Sequence, residues 1–340
     1  MIKVAVVILN WNGEKLLKRF LPSVVNHTPV LGNKVIVVDN ASTDDSVSML
    51  RGHFKTVEVI ELDENFGFAG GYNQALQRIE AEYFLLLNSD VEVTCGWLQP
   101  MVDLLDKNED IAAVQPKILA YNKKNSFEYA GASGGFIDSL GTPFCRGRIL
   151  DTLEEDRGQY NANFDVFWAS GACMLVRSTD FLHHGGFDSS FFAHMEEIDF
   201  CWRLRSRGRR IVCCPKSIVY HVGGATLNEG NANKVYLNVR NNLFMLFKNL
   251  KEDCLKKTIK KRIFYNKIAA LKYCLTGHKE KSDAIHRAHK DFKAQCDKYL
   301  SLRTENMDKA VNVEIPEMYQ GNIILDYYWR KIKSFTDIQF

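Results

Sequence analysis

The chain predicts an α/β fold, a doubly wound and mainly parallel sheet followed by a helical C-terminal extension. Short apolar runs alternate with helical stretches through the first ninety residues. Those runs lack the polar alternation of a sheet with one wet face. Beyond about residue 235 the pattern is helical to roughly residue 300.

Residues 4–9, 35–38, 57–60 and 83–87 are the first four strands, rich in Val, Ile, Leu and aromatic side chains and buried on both faces. Helices fill the gaps at 13–25, 44–51 and 70–79, with Ser42 placed as an N-cap ahead of the second. A helix at 96–108 and a strand at 111–115 continue the rhythm. Residues 117–165 lose periodicity and read as an insertion of short strands and mobile loop. Order returns with a strand at 167–176, a helix at 196–207 stopped by Gly208, and strands at 210–213 and 219–221. The last forty residues carry no clear pattern. The division expected is an α/β domain at 1–245 and a basic, mostly helical extension at 246–340.

A chain of 340 residues with 46% hydrophobic and 25% charged residues is an ordinary globular protein, not a disordered or membrane-embedded one. Its net charge of +3 is unevenly spread: residues 248–303 hold 16 Lys/Arg against 6 Asp/Glu, so the remainder is acidic. An anionic partner is therefore expected for the C-terminal region. The nine cysteines are scattered, save the adjacent Cys213 and Cys214, and form no CxxC motif. That excludes a zinc ribbon or redox pair and fits a reducing compartment. The apolar run at the start is too short to span a bilayer and has no small-residue cleavage site, so a cytoplasmic protein without a transmembrane helix is expected.

Open α/β sheets bind ligands at the carboxyl ends of their strands. Here those ends carry Asn10-Trp11-Asn12-Gly13, Asp39-Asn40-Ala41-Ser42 and Asn88-Ser89-Asp90. No GxGxxG follows the first strand, and the nearest Gly-rich stretch, residues 65–71, follows the third, which argues against a dehydrogenase. Asp39 at a strand tip suits a nucleobase or ribose hydroxyl, or else anchors its own loop. Asp90 suits Mg²⁺ or Mn²⁺ against a diphosphate, or is a plain turn residue. Glu196, Glu197 and Asp199 open a helix whose dipole favours them there, yet one could serve as a general base. His221 at a strand end is a neutral-imidazole metal ligand or a structural histidine.

In this order the motifs resemble the family 2 glycosyltransferases of the GT-A fold, especially rhamnosyltransferase-like members of bacterial cell-surface polysaccharide pathways. The resemblance spans residues 4–250. It rests on Asn10-Trp11-Asn12-Gly13, Val38-Asp39-Asn40-Ala41-Ser42, Asn65-Phe66-Gly67-Phe68-Ala69-Gly70-Gly71-Tyr72-Asn73, Asn88-Ser89-Asp90, Gly186-Phe187-Asp188, the run from Glu196 to Arg203, and His221. It implies a donor site in which Asp39 meets the nucleobase, with Asn10 and Asn40 beside the nucleotide. Asn65, Gly67, Gly71 and Asn73 would wrap the ribose and diphosphate. Asn88, Ser89 and Asp90 stand in place of a DxD motif, and His221 would join Asp90 on the metal. Glu197 aligns with the catalytic base, Glu196 or Asp199 could share that role, and Trp168, Ser170 and Gly171 would line the acceptor. Two positions depart from the family pattern: Asn88 replaces the first aspartate, and Glu197 is one methylene longer than the usual aspartate. The implied reaction is a single displacement with inversion, from a UDP- or dTDP-sugar to a glycan or lipid-linked acceptor, with Mg²⁺ or Mn²⁺ as cofactor.

The basic extension couples an apolar run at 243–247 to Lys256, Lys257, Lys260, Lys261 and Arg262. It reads as a peripheral membrane contact at the inner face of the cell membrane, or as an appendage that covers the core or forms a homo-oligomer contact. Nucleic acid is not expected, since no binding motif accompanies the charge. The rival activities are a nucleotidyltransferase, which would release pyrophosphate, and a glycan-binding domain without catalysis.

Overall fold

The computed structural model describes residues 2–223, 231–312 and 314–340. The chain begins with β1 (Ile2–Asn10), α1 (Glu14–His27), β2 (Asn33–Asp39), α2 (Ser46–His53), β3 (Glu58–Glu61), α3 (Gly67–Leu76) and β4 (Ala81–Asn88). It continues through β5 (Val91–Val93), α4 (Gln99–Lys107), β6 (Ile111–Ala120) and β7 (Lys123–Phe127). Four short strands follow, β8 (Gly135–Asp138), β9 (Pro143–Cys145), β10 (Arg148–Ile149) and β11 (Thr152–Leu153), then β12 (Phe164–Asp165) and β13 (Cys173–Arg177). After α5 (Ser178–His183), α6 (Glu196–Ser206) and β14 (Arg210–His221) come α7 (Ala232–Asn249), α8 (Glu252–Leu275), α9 (Lys279–Gln295) and α10 (Leu300–Asp308). The chain ends with β15 (Met318–Tyr319) and α11 (Ile323–Tyr328).

The large sheet runs β12-β14-β6-β13-β4-β1-β2-β3, with β5 paired to β14 and β7 to β6. The first four strands are parallel, as their two-sided burial predicts; β13 then enters antiparallel between β4 and β6, so the sheet is mixed. The insertion before β13 replaces the helical crossover that a parallel strand would need. β3 is an edge strand, and its residues are partly exposed rather than buried. Of the strand expected at 167–176 only β13 forms. Phe167 and Trp168 instead bridge to Gly135, and the Cys173 amide donates to Ser170 O, turning the chain before it enters the sheet.

Residues 117–165 are packed rather than a mobile loop. β8 to β11 join β15 in a second sheet, ordered β11-β10-β9-β8-β15. Phe127, Phe136, Phe144 and Ile149 are buried there, and Phe335 and Phe340 from the C-terminus pack against Phe136 and Phe144 in tilted and edge-on contacts. Fully burying aromatic side chains contributes about 2–3 kcal/mol each, enough to order a segment that has no periodicity.

The C-terminal extension is built into this packing. α7 runs through the boundary expected at residue 245, with Leu243 to Leu246 all buried. Its Lys248, counted among the basic residues, is buried and paired with Asp188 (2.6 Å) and Asp199 (2.9 Å). β15 lies parallel to β8, and Asp138 accepts from the Ile323 amide at 3.1 Å. Ser42 does not cap α2. Asp44 accepts from the Ser46 amide, while Ser42 Oγ accepts from the Asn12 amide and from Asn10.

Candidate active site

Strand register brings the polar ends of three strands to one edge. Asn10 is opposite Asp39, and Leu9 is opposite Asn88. With neighbouring strands about 5 Å apart, the backbones of Asp39 and Asn88 are separated by roughly 10 Å. Asn10 Nδ2 donates to Asp39 Oδ1 at 3.0 Å, and the other carboxylate oxygen accepts from the Ser42 amide at 2.9 Å. Both residues are buried, but Asn10 Oδ1 has no partner. That orphaned acceptor lies between Gly13 and the strand end. Such an oxygen is costly to bury unless a ligand or water satisfies it.

The second group stands at the end of β14. β5 pairs antiparallel with β14, which places His221 opposite Val91 and lets the Val222 amide donate to Asp90 O. His221 Nε2 is then 3.1 Å from Asp90 Oδ1 and 3.4 Å from Asn88 Nδ2. On the far side Nδ1 is 3.3 Å from Glu128 Oε2, near enough for electrostatic pairing but without the geometry of a good hydrogen bond. Burial opposes charge on this imidazole, yet the two carboxylates outweigh it and push His221 up to about 10. The carboxylates thus favour a proton on the imidazole, which a metal held by Nε2 would have to displace. One carboxylate oxygen and one imidazole nitrogen suit Mg²⁺ or Mn²⁺ that completes its shell with phosphate oxygens and water. Among the described residues no three His, Cys, Asp or Glu side chains converge as a metal-binding group.

Glu128 has no counterpart in the sequence reading. It sits in the aperiodic stretch, and nothing local marks it as the buried neighbour of a histidine contributed by another strand. Its carboxylate also accepts from the Ala130 amide and fills the space beside Gly223.

The acidic pair forms the third group. Glu196 and Glu197 open α6, and each has one carboxylate oxygen without a partner. Burial pushes Glu197 up to about 7, partly offset by amides of the helix's first turn. Glu196 is driven well above the ordinary carboxylate range by burial and then by the charge of Glu197. Glu197 packs on Gly171, where a methyl group would lie 3.9 Å from its Cβ, and the next residue, Ala172, accepts from the Asn88 amide at 3.0 Å. The segment 171–172 thus touches the acid on one side and the start of the Asn88 turn on the other. Asp199 cannot share its role. Arg203, Lys248 and Asn249 all donate to that carboxylate, which is fully buried.

Other expected ligand contacts are occupied inside the protein. Asn40 donates to Asn65 Oδ1 and Gly67 O, both at 3.0 Å, and accepts from the Phe66 amide. Asn65 also accepts from the Gly67 amide. Asn73 clamps Phe187, donating to its carbonyl at 2.7 Å and accepting from its amide at 3.0 Å. Gly67 has φ +71 and leaves no room for a side chain beside Phe192, whose carbonyl caps the Phe68 and Ala69 amides of α3. Gly71 lets α3 close on Leu9 of β1. The expected diphosphate wrap is therefore a helix docked by its own polar groups. Trp168 is buried, with its indole N–H donating to Phe136 O. Ser170 is buried too, its hydroxyl donating to Ala130 O and its amide to Gln115. Ser89 stays partly open beside Gly13.

A surface cleft lined by Ile2, Thr28, Asn33, Glu58 and Arg78 lies at the amino ends of the strands, the opposite edge from all of these groups.

The family model described as Glycosyl transferase family 2 matches residues 5–182, which end beyond β13 and the Asn88 turn. The chain is 26% identical over 227 residues to the O-antigen biosynthesis protein RfbC of Myxococcus xanthus, covering 64% of this chain but 17% of that protein. It is 25% identical over 236 residues to an N-acetylglucosaminyl-diphospho-decaprenol L-rhamnosyltransferase of Mycobacterium tuberculosis, covering 64% of this chain and 75% of that one. The fold is shared with the crystal structure of GalNAc-T7 with UDP, GalNAc and Mn²⁺, at a TM-score of 0.59 and 16% identity over 89% of this chain and 58% of that one. The matched model covers more than half of the chain and places the protein: the chain belongs to glycosyl transferase family 2.

Proposed function

We propose that the protein moves a sugar from a nucleoside diphosphate to an acceptor hydroxyl in one inverting displacement, with Glu197 as the base. The observation that carries this reading is Glu197 itself. Its side chain is partly exposed, yet one carboxylate oxygen is buried without a partner, the acid is tuned close to neutrality, and its Cβ lies beside Gly171. A base with that affinity takes the proton of an attacking hydroxyl as the hydroxyl closes on the anomeric carbon. Burial and the charge of Glu197 both favour the protonated form of Glu196, which leaves Glu197 the more readily charged acid of the pair.

Asp39 and Asn10 hold the nucleoside end of the donor, where the unpartnered Asn10 Oδ1 offers an acceptor. Asp90 and His221 face the diphosphate and would hold Mg²⁺ or Mn²⁺, with Glu128 steadying the imidazole from behind. A divalent ion bound there supplies charge neutralisation for the departing diphosphate. The Mn²⁺ and UDP named with the GalNAc-T7 structure support this choice of metal and donor class. The rhamnosyltransferase likeness favours an acceptor that is lipid-linked or part of a growing surface glycan. Such an enzyme works in the cytoplasm against the inner face of the membrane. Among the described residues no helix is long and apolar enough to cross it.

The test is release of nucleoside diphosphate from UDP-, GDP- and dTDP-sugars with Mg²⁺ or Mn²⁺, repeated with Glu197→Gln. Donor-specific release lost in that variant is the expected result. Release of pyrophosphate from a nucleoside triphosphate would instead establish the nucleotidyltransferase rival.

A further inference from the structure

α8 has two faces of opposite character. Its inner face buries Leu255, Thr258, Asn266 and Ala270, with Ile259 and Ile263 packed on the core. On its outer face Phe264, Ile268, Leu271 and Leu275 recur at helical spacing and are 49–78% exposed. Four large apolar side chains on one outward stripe exceed the scatter normal for a soluble surface.

The same stripe is framed by charge of one sign. Lys256, Lys257, Lys260 and Lys261 are exposed on the N-terminal half of the helix, and Lys267 and Lys272 flank the apolar half. No acidic residue occurs between Asp253 and Glu280. α11 extends the face: Asn322, its cap, donates to Tyr265 of α8 at 3.0 Å, and Tyr328 lies near enough to Tyr273 to feel its hydroxyl. Tyr328 and Trp329 there are 51% and 85% exposed.

We infer that the outer face of α8, extended by Tyr328 and Trp329, lies on the surface of an anionic bilayer. Apolar side chains enter the acyl boundary, tryptophan and tyrosine rest at headgroup level, and lysines reach the phosphates through their flexible stems. A second copy of this chain fits less well, because the stretch would bring six lysines to the contact and no carboxylate to meet them. Anionic lipids supply those charges. The inference rests on the lipid-linked acceptor above for its purpose, but not for its test, since binding needs no turnover.

Sedimentation of the full chain with vesicles decides it. Binding is expected to vesicles of phosphatidylglycerol and phosphatidylcholine and to be at least tenfold weaker to phosphatidylcholine alone. Leu271→Ser with Leu275→Ser and Trp329→Ser should abolish binding. Lys256, Lys257, Lys260 and Lys261 changed together to Gln should erase the preference for anionic lipid. All of these side chains are exposed, so the melting temperature and the release of nucleotide from a soluble donor should be unchanged. Wild-type protein that stays in solution with anionic vesicles overturns the inference. So does a dimer in light scattering that the serine variant dissociates, which would assign the face to self-association.

Discussion

Two polar regions share the carboxyl edge of the sheet, and they use their side chains in opposite ways. Around α3 the asparagines are saturated: Asn40 binds Asn65 and Gly67, and Asn73 binds both backbone groups of Phe187. Around α6 and β14 the charged groups are left incomplete. Glu196 and Glu197 each keep an oxygen without a partner, and His221 is stretched between two carboxylates. Saturated groups hold a shape, whereas unsatisfied buried groups cost stability and persist where a ligand or a proton completes them. The motif as a string makes no such distinction, since both regions read as polar residues after a strand.

The comparison predicts that substitutions in the second region act on chemistry and those in the first on stability. The largest effect expected is from Glu197→Gln, a loss of about 100- to 10,000-fold in kcat with donor affinity retained, read by single-turnover transfer and by calorimetric titration of the nucleotide. Equal loss of donor affinity would move Glu197 to the binding side. In the same assay the wild-type rate should rise with pH to a plateau, with its midpoint near 7. Below that value the Glu197 carboxyl keeps its proton and cannot take another.

Lys248→Met should show the reverse pattern. It removes the ammonium that two buried carboxylates share, and breaking such a pair costs about 3–5 kcal/mol in urea unfolding while leaving the acidic pair in place. Glu128→Gln is intermediate: metal affinity should fall about 10- to 100-fold by Mn²⁺ titration, because the imidazole loses the partner that orients it, with little change in unfolding. Asn73→Ala leaves the Phe187 amide and carbonyl unpaired for about 2–3 kcal/mol, and folded enzyme should keep its KM for donor. A raised KM there would return Asn73 to the donor site.

The smallest effect is on stability against pH. Glu197 binds its proton more tightly folded than unfolded, so its contribution is present below the ordinary glutamate range and is lost as pH rises to about 7. Glu197→Gln should flatten that slope in melting curves taken between pH 5 and 8.

Much of the fold and some of the site were legible in the residues alone. Two-sided apolar runs announced the parallel strands β1, β2 and β4, because a strand buried on both faces leaves no place for polar alternation, whereas β3 joined them as a partly exposed edge. The strand-end polar groups announced the edge that carries the candidate site, and the order of motifs announced the family. What the residues could not show was which of those polar groups remain free. Asn73 is consumed by Phe187, Asp199 by Lys248, Arg203 and Asn249, and Trp168 by the second sheet. Each of those partners lies far away in sequence. Glu128 becomes part of the site only because β14 returns beside β6 and sets His221 next to it. Local pattern determines strands, helices and the side of the sheet that carries chemistry. Whether a buried polar group is satisfied or left open depends on non-local packing, so only the tertiary structure decided it.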